Sequence, residues 1–193
     1  MKFTLSLFLA LFINSHYLIA AEVNNGDIEQ RTQASKAVIK QFFEELKSEL
    51  KGALTAGGPA KAIEVCKQVA PAIALKYSTQ NNWSVSRTSL KNRNPDNAPD
   101  AWEKSVLEKF NARKAAGEDP LTIDYAEIVD NKGERNFRYM KAIPTAEKPC
   151  LMCHGTKIKP EINELLNKHY PEDKAVGYQE GDIRGAFSIT QPM

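Results

Sequence analysis

Two cysteines and a histidine stand together near the C-terminal end of the chain, in the segment Cys150-Leu151-Met152-Cys153-His154. This C-x-x-C-H spacing is the attachment signature of c-type haem. Each cysteine sulfur can add to one of the two vinyl groups of the porphyrin, and the histidine is then held beneath the iron as its proximal ligand. The motif therefore predicts one covalent haem c, bound by Cys150, Cys153 and His154.

Two other uses of these cysteines compete with haem attachment. They could form a disulfide or a thioredoxin-like redox pair. A thioredoxin site follows a strand and begins a helix in a βαβ unit, whereas Pro149 and Gly155 flank this motif and indicate a loop. The other alternative is a closed zinc site of three cysteines and one histidine, which leaves His154 without a role. Its ligands would be Cys66, Cys150, Cys153 and His169.

A six-coordinate haem needs a second axial ligand, and few residues could supply it. The chain has three cysteines, so Cys66 is left without a partner once haem takes the other two. It lies on the apolar face of a predicted helix and could equally be a buried core residue. Pro71 in the next turn opposes the carbonyl of Lys67 and should bend or loosen that helix. The further candidates are His169, placed as a surface histidine at a helix end, and Met140, placed as a core residue of a strand.

The haem propionates are anionic and need cationic side chains or N–H donors. Arg87, Lys91 and Arg93 cluster in the polar stretch that follows the second predicted helix. We predict that these three residues contact the propionates, although the same cluster could be an ordinary solvated loop.

The N-terminal end of the chain has the pattern of a secretory leader. Lys2 precedes an apolar run over 3–13, and small residues that end with Ala21 offer a cleavage site. The run is far shorter than the ~20 residues that a transmembrane helix needs, although an uncleaved anchor is the alternative. We therefore expect a signal peptide over 1–21, a single domain over 22–193, a periplasmic location, and no membrane span after cleavage.

Composition and charge exclude several classes of protein. A chain of 193 residues with 42% apolar and 26% charged residues fits one globular domain. Its 26 basic and 24 acidic residues give a net charge of +2, which argues against a nucleic-acid partner. The sequence has no Ser-His-Asp set, phosphate-binding loop or paired-carboxylate motif, so we do not expect an enzyme.

Apolar periodicity predicts two N-terminal helices, over 27–54 and 60–77, separated by Gly57-Gly58-Pro59. The rest of the pattern is that of an α+β domain in which helices cover one side of a small antiparallel sheet. The further predicted elements are a strand over 84–88, a helix that opens at Pro99, strands over 122–129 and 136–143 joined by a hairpin turn, a helix over 160–169 and a strand over 185–190.

Four separated segments of the sequence are together more specific than any one motif. They are Ala62 to Cys66 with Ala70-Pro71, Arg87 to Pro95 with further positions up to Glu103, Cys150 to Gly155, and Gly181 to Ile189. On these segments the chain resembles the family of periplasmic c-type haem domains with a PAS-like fold. Members of that family occur as small free-standing proteins and as sensor modules of bacterial kinases and chemoreceptors. The resemblance runs from about Ala34 to Ile189.

The resemblance implies a five-stranded antiparallel PAS-like sheet wrapped by the N-terminal helices, with the haem between sheet and helices. It also implies that Cys66 is the axial ligand opposite His154, and a thiolate there would lower the reduction potential. The expected function is a redox or ligand sensor that responds to an electron or to a small gaseous ligand such as CO or NO. The alternative is a small periplasmic electron-transfer cytochrome. The expected protein partner is an unknown redox or signalling protein.

Overall fold

The computed structural model describes residues 25–193 of the chain, so the predicted signal peptide lies outside the described residues. Within this part, no helix combines the length and the apolar character that crossing a membrane requires. The elements in chain order are α1 (Asn25–Glu64), a π-helical turn (Val65–Val69), α2 (Ala70–Asn81), β1 (Ser84–Thr88), a 3-10 turn (Pro95–Asn97), α3 (Ala101–Ala115), β2 (Asp124–Asn131), β3 (Glu134–Pro144), α4 (Cys150–His154), α5 (Pro160–His169) and β4 (Ile183–Pro192).

The helical segment α1 is broken where the sequence predicts a helix end. Gly57 and Gly58 leave the helical backbone angles, and Gly58 has a φ of 65°, a value that favours glycine. Pro59 follows at the start of the next helical turn, where a missing N–H costs no hydrogen bond. The chain therefore has a long first helix and a second helix that runs through the π-helical turn into α2, as the periodicity predicts.

The four strands form one antiparallel sheet in the order β1-β4-β3-β2. β2 and β3 are joined by the two-residue turn Lys132-Gly133, where φ is 56° and 92°. Positive φ at both positions is what a type I′ hairpin turn requires. β4 lies between β1 and β3, so that Ala186 faces Thr88 on one side and Ala142 on the other. Helices around this sheet give the predicted α+β, PAS-like architecture.

The family resemblance implies five strands, and this part of the prediction is wrong for the described residues, whose sheet has four. The segment 145–182 between β3 and β4 forms no strand, and its one β-type pairing is an isolated bridge between Gly155 and Tyr178. It contains α4 and α5 instead. Their backbone hydrogen bonds are made within each helix and cannot extend the sheet.

Helices cover both faces of the sheet, whereas the sequence pattern predicts helices on one side. α1 and α2 pack on one face in a cluster that includes Phe42 and Tyr139, and α3 packs on the other in a cluster that includes Phe110 and Met140. Tyr139 and Met140 are consecutive residues of β3 that point to opposite faces, and both are fully buried. A strand with apolar side chains on both faces needs two covering layers.

Gly185 permits a close approach between β4 and the end of β1. A Cβ at this position would overlap the carbonyl oxygen of Thr88 and crowd Ser89. We expect Gly185→Ala to lower the free energy of unfolding by about 1–3 kcal/mol, the usual cost of overpacking. The matched control is Gly52→Ala, which adds a Cβ in open space on α1 and should raise stability by about 0.5–1 kcal/mol. Urea unfolding measures both, and equal effects would contradict the close approach.

Candidate functional site

A cavity lies between the sheet and the helices on the α1 side. One wall is apolar and includes Leu46, Leu50 and Leu54 from α1 together with Ile63 and Leu166. Another part of the lining, the polar wall, carries cations, and no aspartate or glutamate among residues 25–193 lines the cavity. The polar wall consists of Arg87, Thr88, Ser89, Asn92, Arg93, Asn97 and Arg184. A cavity with one apolar and one cationic wall suits a flat ligand that has an apolar body and anionic groups at one edge.

The motif residues enter this cavity from α4, so the loop that Pro149 and Gly155 indicate is wrong for this segment, which is a short helix. The cysteines and histidine stand at positions i, i+3 and i+4 of one helical turn, and such positions share a helix face. Cys150, Cys153 and His154 accordingly all line the cavity, and both cysteines are free thiols. The spacing of the motif and the short helix together present two nucleophilic sulfurs and one imidazole to the same space.

The imidazole of His154 is held in the form that binds a metal. Its Nδ1 atom lies 2.8 Å from the carbonyl oxygen of Ala175, which can only accept a hydrogen bond. When Nδ1 carries the proton and donates it to this carbonyl, Nε2 keeps a free lone pair. Burial, followed by the charges of Arg184 and Arg93, holds the pKa of His154 well below its usual value. A neutral imidazole is the form that coordinates metals.

A buried ion pair fixes the motif against the segment that leads into β4. Arg93 donates to the carbonyl of Cys153 at 2.6 Å and pairs with Asp173 at 2.9 Å. Asp173 in turn accepts from the backbone N–H of Ala175 at 2.8 Å. The ion pair therefore connects the cysteine end of α4 to the same Ala175 whose carbonyl orients His154.

Cys66 reaches the cavity from the π-helical turn Val65–Val69. The backbone N–H of Ala70 donates to the carbonyl of Val65, five residues back, so this turn holds one residue more than an α-helical turn. Pro71 has no N–H to offer the carbonyl of Lys67, which weakens the α-helical pattern at the same place. Burial raises the pKa of the Cys66 thiol. The expected loosening of the helix at Pro71 is thus confirmed, and it takes the form of a widened turn.

Among the three sequence candidates for a second axial ligand, the structure brings Cys66 to the cavity and leaves the other two outside it. Met140 is fully buried in the cluster on the α3 side of the sheet. His169 ends α5 and does not line the cavity. Within residues 25–193, no three histidine, cysteine, aspartate or glutamate side chains stand close enough to share a metal ion. The four residues of the zinc alternative therefore do not form a tetrahedral site in this structure.

Arg87 is a cation without a counter-ion in the described part of the chain. Its guanidinium lies 5.7 Å from the ring centre of Phe42 and lines the cavity, and none of the described residues accepts a hydrogen bond or ion pair from it. Burial lowers its pKa. Because a partly buried charge is stabilised by a partner of opposite sign, Arg87 fits a group that brings an anion into the cavity. A haem with its propionates is such a group.

The other two predicted propionate contacts differ from Arg87 and from each other. Arg93 lines the cavity, but its charge is already paired with Asp173. Lys91 does not line the cavity, because its Nζ donates to the carbonyl of Val176 and lies 4.7 Å from the ring centre of Tyr178. The structure thus places Arg87 and Arg93 together at the polar wall and Lys91 outside it, and the propionate contacts themselves stay a prediction.

Sequence reasoning missed three residues that shape the site. Tyr170 lines the cavity, its hydroxyl has no hydrogen-bond partner among the described residues, and burial raises its pKa to about 12. Arg184 lies against His154, and the Ala175 carbonyl orients the same ring. Arg184 is the one charged residue of β4, and this was a usable sequence signal. A backbone carbonyl has no sequence signal.

Comparisons with known proteins concern the family and the fold of the chain. The model of the Tll0287-like family matches residues 21–192 of the chain. Among solved structures, the crystal structure of the cyanobacterial heme-protein Tll0287 matches with a TM-score of 0.57 and 23% sequence identity, covering 89% of this chain and 98% of that one. At this level of identity the likeness concerns the fold. A search of curated proteins gives no match.

Proposed function

Since the chain belongs to the Tll0287-like family, we propose that it is an exported protein that binds one covalent haem c and works as a low-potential redox or ligand sensor. Cys150 and Cys153 would form the two thioether bonds, His154 would be the proximal ligand, and Cys66 would be the second protein ligand of the iron. Arg87 is the first candidate for a propionate contact, and Arg93 is the second.

The observation that carries this proposal is the composition of the one cavity. The C-x-x-C-H motif, a further cysteine and an arginine without a counter-ion all line it, together with a wall of leucines. Each part answers a different need of the same group: covalent attachment, axial ligation, an anion partner and an apolar face. A disulfide enzyme or a zinc centre would use some of these parts and leave the others unexplained.

When bound, haem supplies one-electron redox chemistry and an iron centre that diatomic gases can bind. The chain contributes position and charge. Ala175 fixes the tautomer of His154, and the ion pair of Arg93 with Asp173 holds the backbone beside it. The leucines of α1 exclude water from one face of the cavity, and Cys66 can provide a thiolate once its proton is lost to solvent on metal binding.

A sensor is favoured over an electron carrier by the place of Cys66 in a π-helical turn. Such turns occur often at functional sites, and this one can change its hydrogen-bond pattern without unfolding the helix. Release of Cys66 would therefore give the second helix two states, which a signal needs. If both axial ligands instead stay bound in every state, the alternative function is a small electron-transfer cytochrome.

Addition of CO to the dithionite-reduced protein tests this choice. We expect CO to replace Cys66, so that the Soret band moves and amide hydrogen exchange rises within Val65–Val69. CO added to the oxidised protein is the control, because ferric haem does not bind it. A reduced protein whose Soret band and exchange pattern both stay unchanged would support the electron carrier and contradict the sensor.

The proposal also covers the location of the protein and the class of its partner. Export through the N-terminal leader would place the protein in the periplasm, where its partner is a redox or signalling protein. We propose neither an enzymatic activity nor a nucleic-acid partner, because the near-neutral charge and the absence of catalytic motifs in the sequence favour neither.

A further inference from the structure

A charged side chain of the cavity lining, Arg184, contacts the imidazole of His154. The Nε atom of Arg184 lies 3.2 Å from Nδ1 of His154. Its Nη1 atom donates to Ser89 Oγ at 3.1 Å and to the carbonyl of Lys91 at 3.4 Å. The guanidinium also lies 5.5 Å from the ring centre of Tyr178. These contacts from three sides hold the cation in one place.

The charge of Arg184 is uncompensated in the part of the chain that the structure describes. No carboxylate of residues 25–193 forms an ion pair with it, in contrast to Arg93, whose charge is paired with Asp173 at 2.9 Å. Arg87, the other cation of the polar wall, makes no hydrogen bond to His154. Arg184 is therefore the one described side chain that brings an unpaired charge into contact with the imidazole.

Nδ1 of His154 cannot satisfy both of its neighbours. It lies 2.8 Å from the Ala175 carbonyl, which only accepts, and 3.2 Å from the Arg184 guanidinium, which only donates. When Nε2 gives its lone pair to a metal, Nδ1 must carry the proton, and it then bonds to Ala175. In that state Arg184 has no hydrogen bond to the ring and acts on it through its charge alone.

Resting on the proposed haem, we propose that Arg184 is a positioning residue of the site, a fixed cation against the outer nitrogen of His154 that raises the midpoint potential of the iron. Reduction adds one electron to the iron centre, so a nearby positive charge favours the reduced form. The same charge opposes the donation of electron density from the imidazole, whereas the carboxylate found beside many metal-bound histidines increases it. Both effects raise the midpoint potential, whereas a Cys66 thiolate lowers it.

The test is the midpoint potential of purified holoprotein variants, measured by titration between dithionite and ferricyanide. We expect Arg184→Gln to lower the potential, because it removes the charge and keeps a polar side chain of similar shape. Arg184→Lys keeps the charge and should restore a potential near that of the unchanged protein. The matched control is Arg135→Gln at the far end of β3, which makes the same change in net charge and should leave the potential unchanged.

The outcomes separate this inference from the proposed function. If the variants carry covalent haem and Arg184→Gln shifts the potential no more than Arg135→Gln does, the role of Arg184 is refuted and the haem assignment stands. If neither the unchanged protein nor the variants carry haem, the proposed function fails first. Should the glutamine variant not accumulate, the difference between Arg184→Lys and Arg184→Met gives the same comparison, and equal potentials in that pair refute the role.

Discussion

Replacing both Cys150 and Cys153 by serine abolishes covalent haem attachment, which is the largest effect that we expect from any substitution in the chain. A serine hydroxyl does not add to a porphyrin vinyl group, so neither thioether bond can form. Haem should then separate from the polypeptide under acid extraction, whereas it stays with the unchanged chain. Haem staining after denaturing electrophoresis gives the same comparison. Each single serine variant leaves one thioether and should retain part of the stain.

The matched control for this prediction is Cys66→Ser. It changes a cysteine that lines the same cavity but takes no part in attachment, so the polypeptide should keep its haem through acid extraction. If the double variant retains covalent haem, the motif has been misassigned. If Cys66→Ser loses it as completely as the double variant does, the cavity rather than the motif determines attachment.

Replacing Cys66 by alanine has the second largest expected effect. Loss of a thiolate from the iron removes a strong electron donor, so the midpoint potential should rise by on the order of 0.1 V or more, since axial ligands tune haem over about 0.8 V. The absorption spectrum should change with it, from that of an iron with two protein ligands to that of an iron with an open sixth position. A reductive titration followed by absorption measures both effects.

Lys67→Ala is the control for that variant. Lys67 is exposed and belongs to the same π-helical turn, so its replacement alters the turn and leaves the ligand in place. We expect its potential and spectrum to match those of the unchanged protein. A Cys66→Ala protein that also matches them would mean that Cys66 is a core residue, and the iron would then need another partner.

The sequence predicts the parts of this fold that are determined by local pattern. The helix break at Gly57 and Gly58, the Lys132-Gly133 hairpin and the helix Pro160–His169 follow from turn chemistry and periodicity, and all are present. The motif residues are also local, because Cys150, Cys153 and His154 share one helical turn. Their arrival in one cavity with Cys66 is not local, and in the sequence it rests on the odd number of cysteines and on the family resemblance.

The contacts that finish the site could not be predicted, for identifiable physical reasons. Arg184 and Ala175 reach His154 from 30 and 21 positions away, and one of them does so through a backbone carbonyl that every residue type possesses. Lys91 and Arg93 are both basic residues of one polar segment, so the sequence does not distinguish them. In the folded loop Arg93 lines the cavity and Lys91 does not. The sequence predicts the helix that forms α3 but not the face that it covers, because Phe137 and Tyr139 alternate with Arg138 in β3 and so indicate a single apolar face.

The central claim is one haem bound covalently to Cys150 and Cys153, and the intact mass of the exported protein tests it most directly. The protein is purified from the periplasm of cells that mature c-type cytochromes and is weighed under denaturing conditions. We predict the mass of the chain without its leader plus one haem, with the addition located by peptide mapping in the segment that contains α4. A mass equal to the bare polypeptide, or a haem that is lost on denaturation, would contradict the claim.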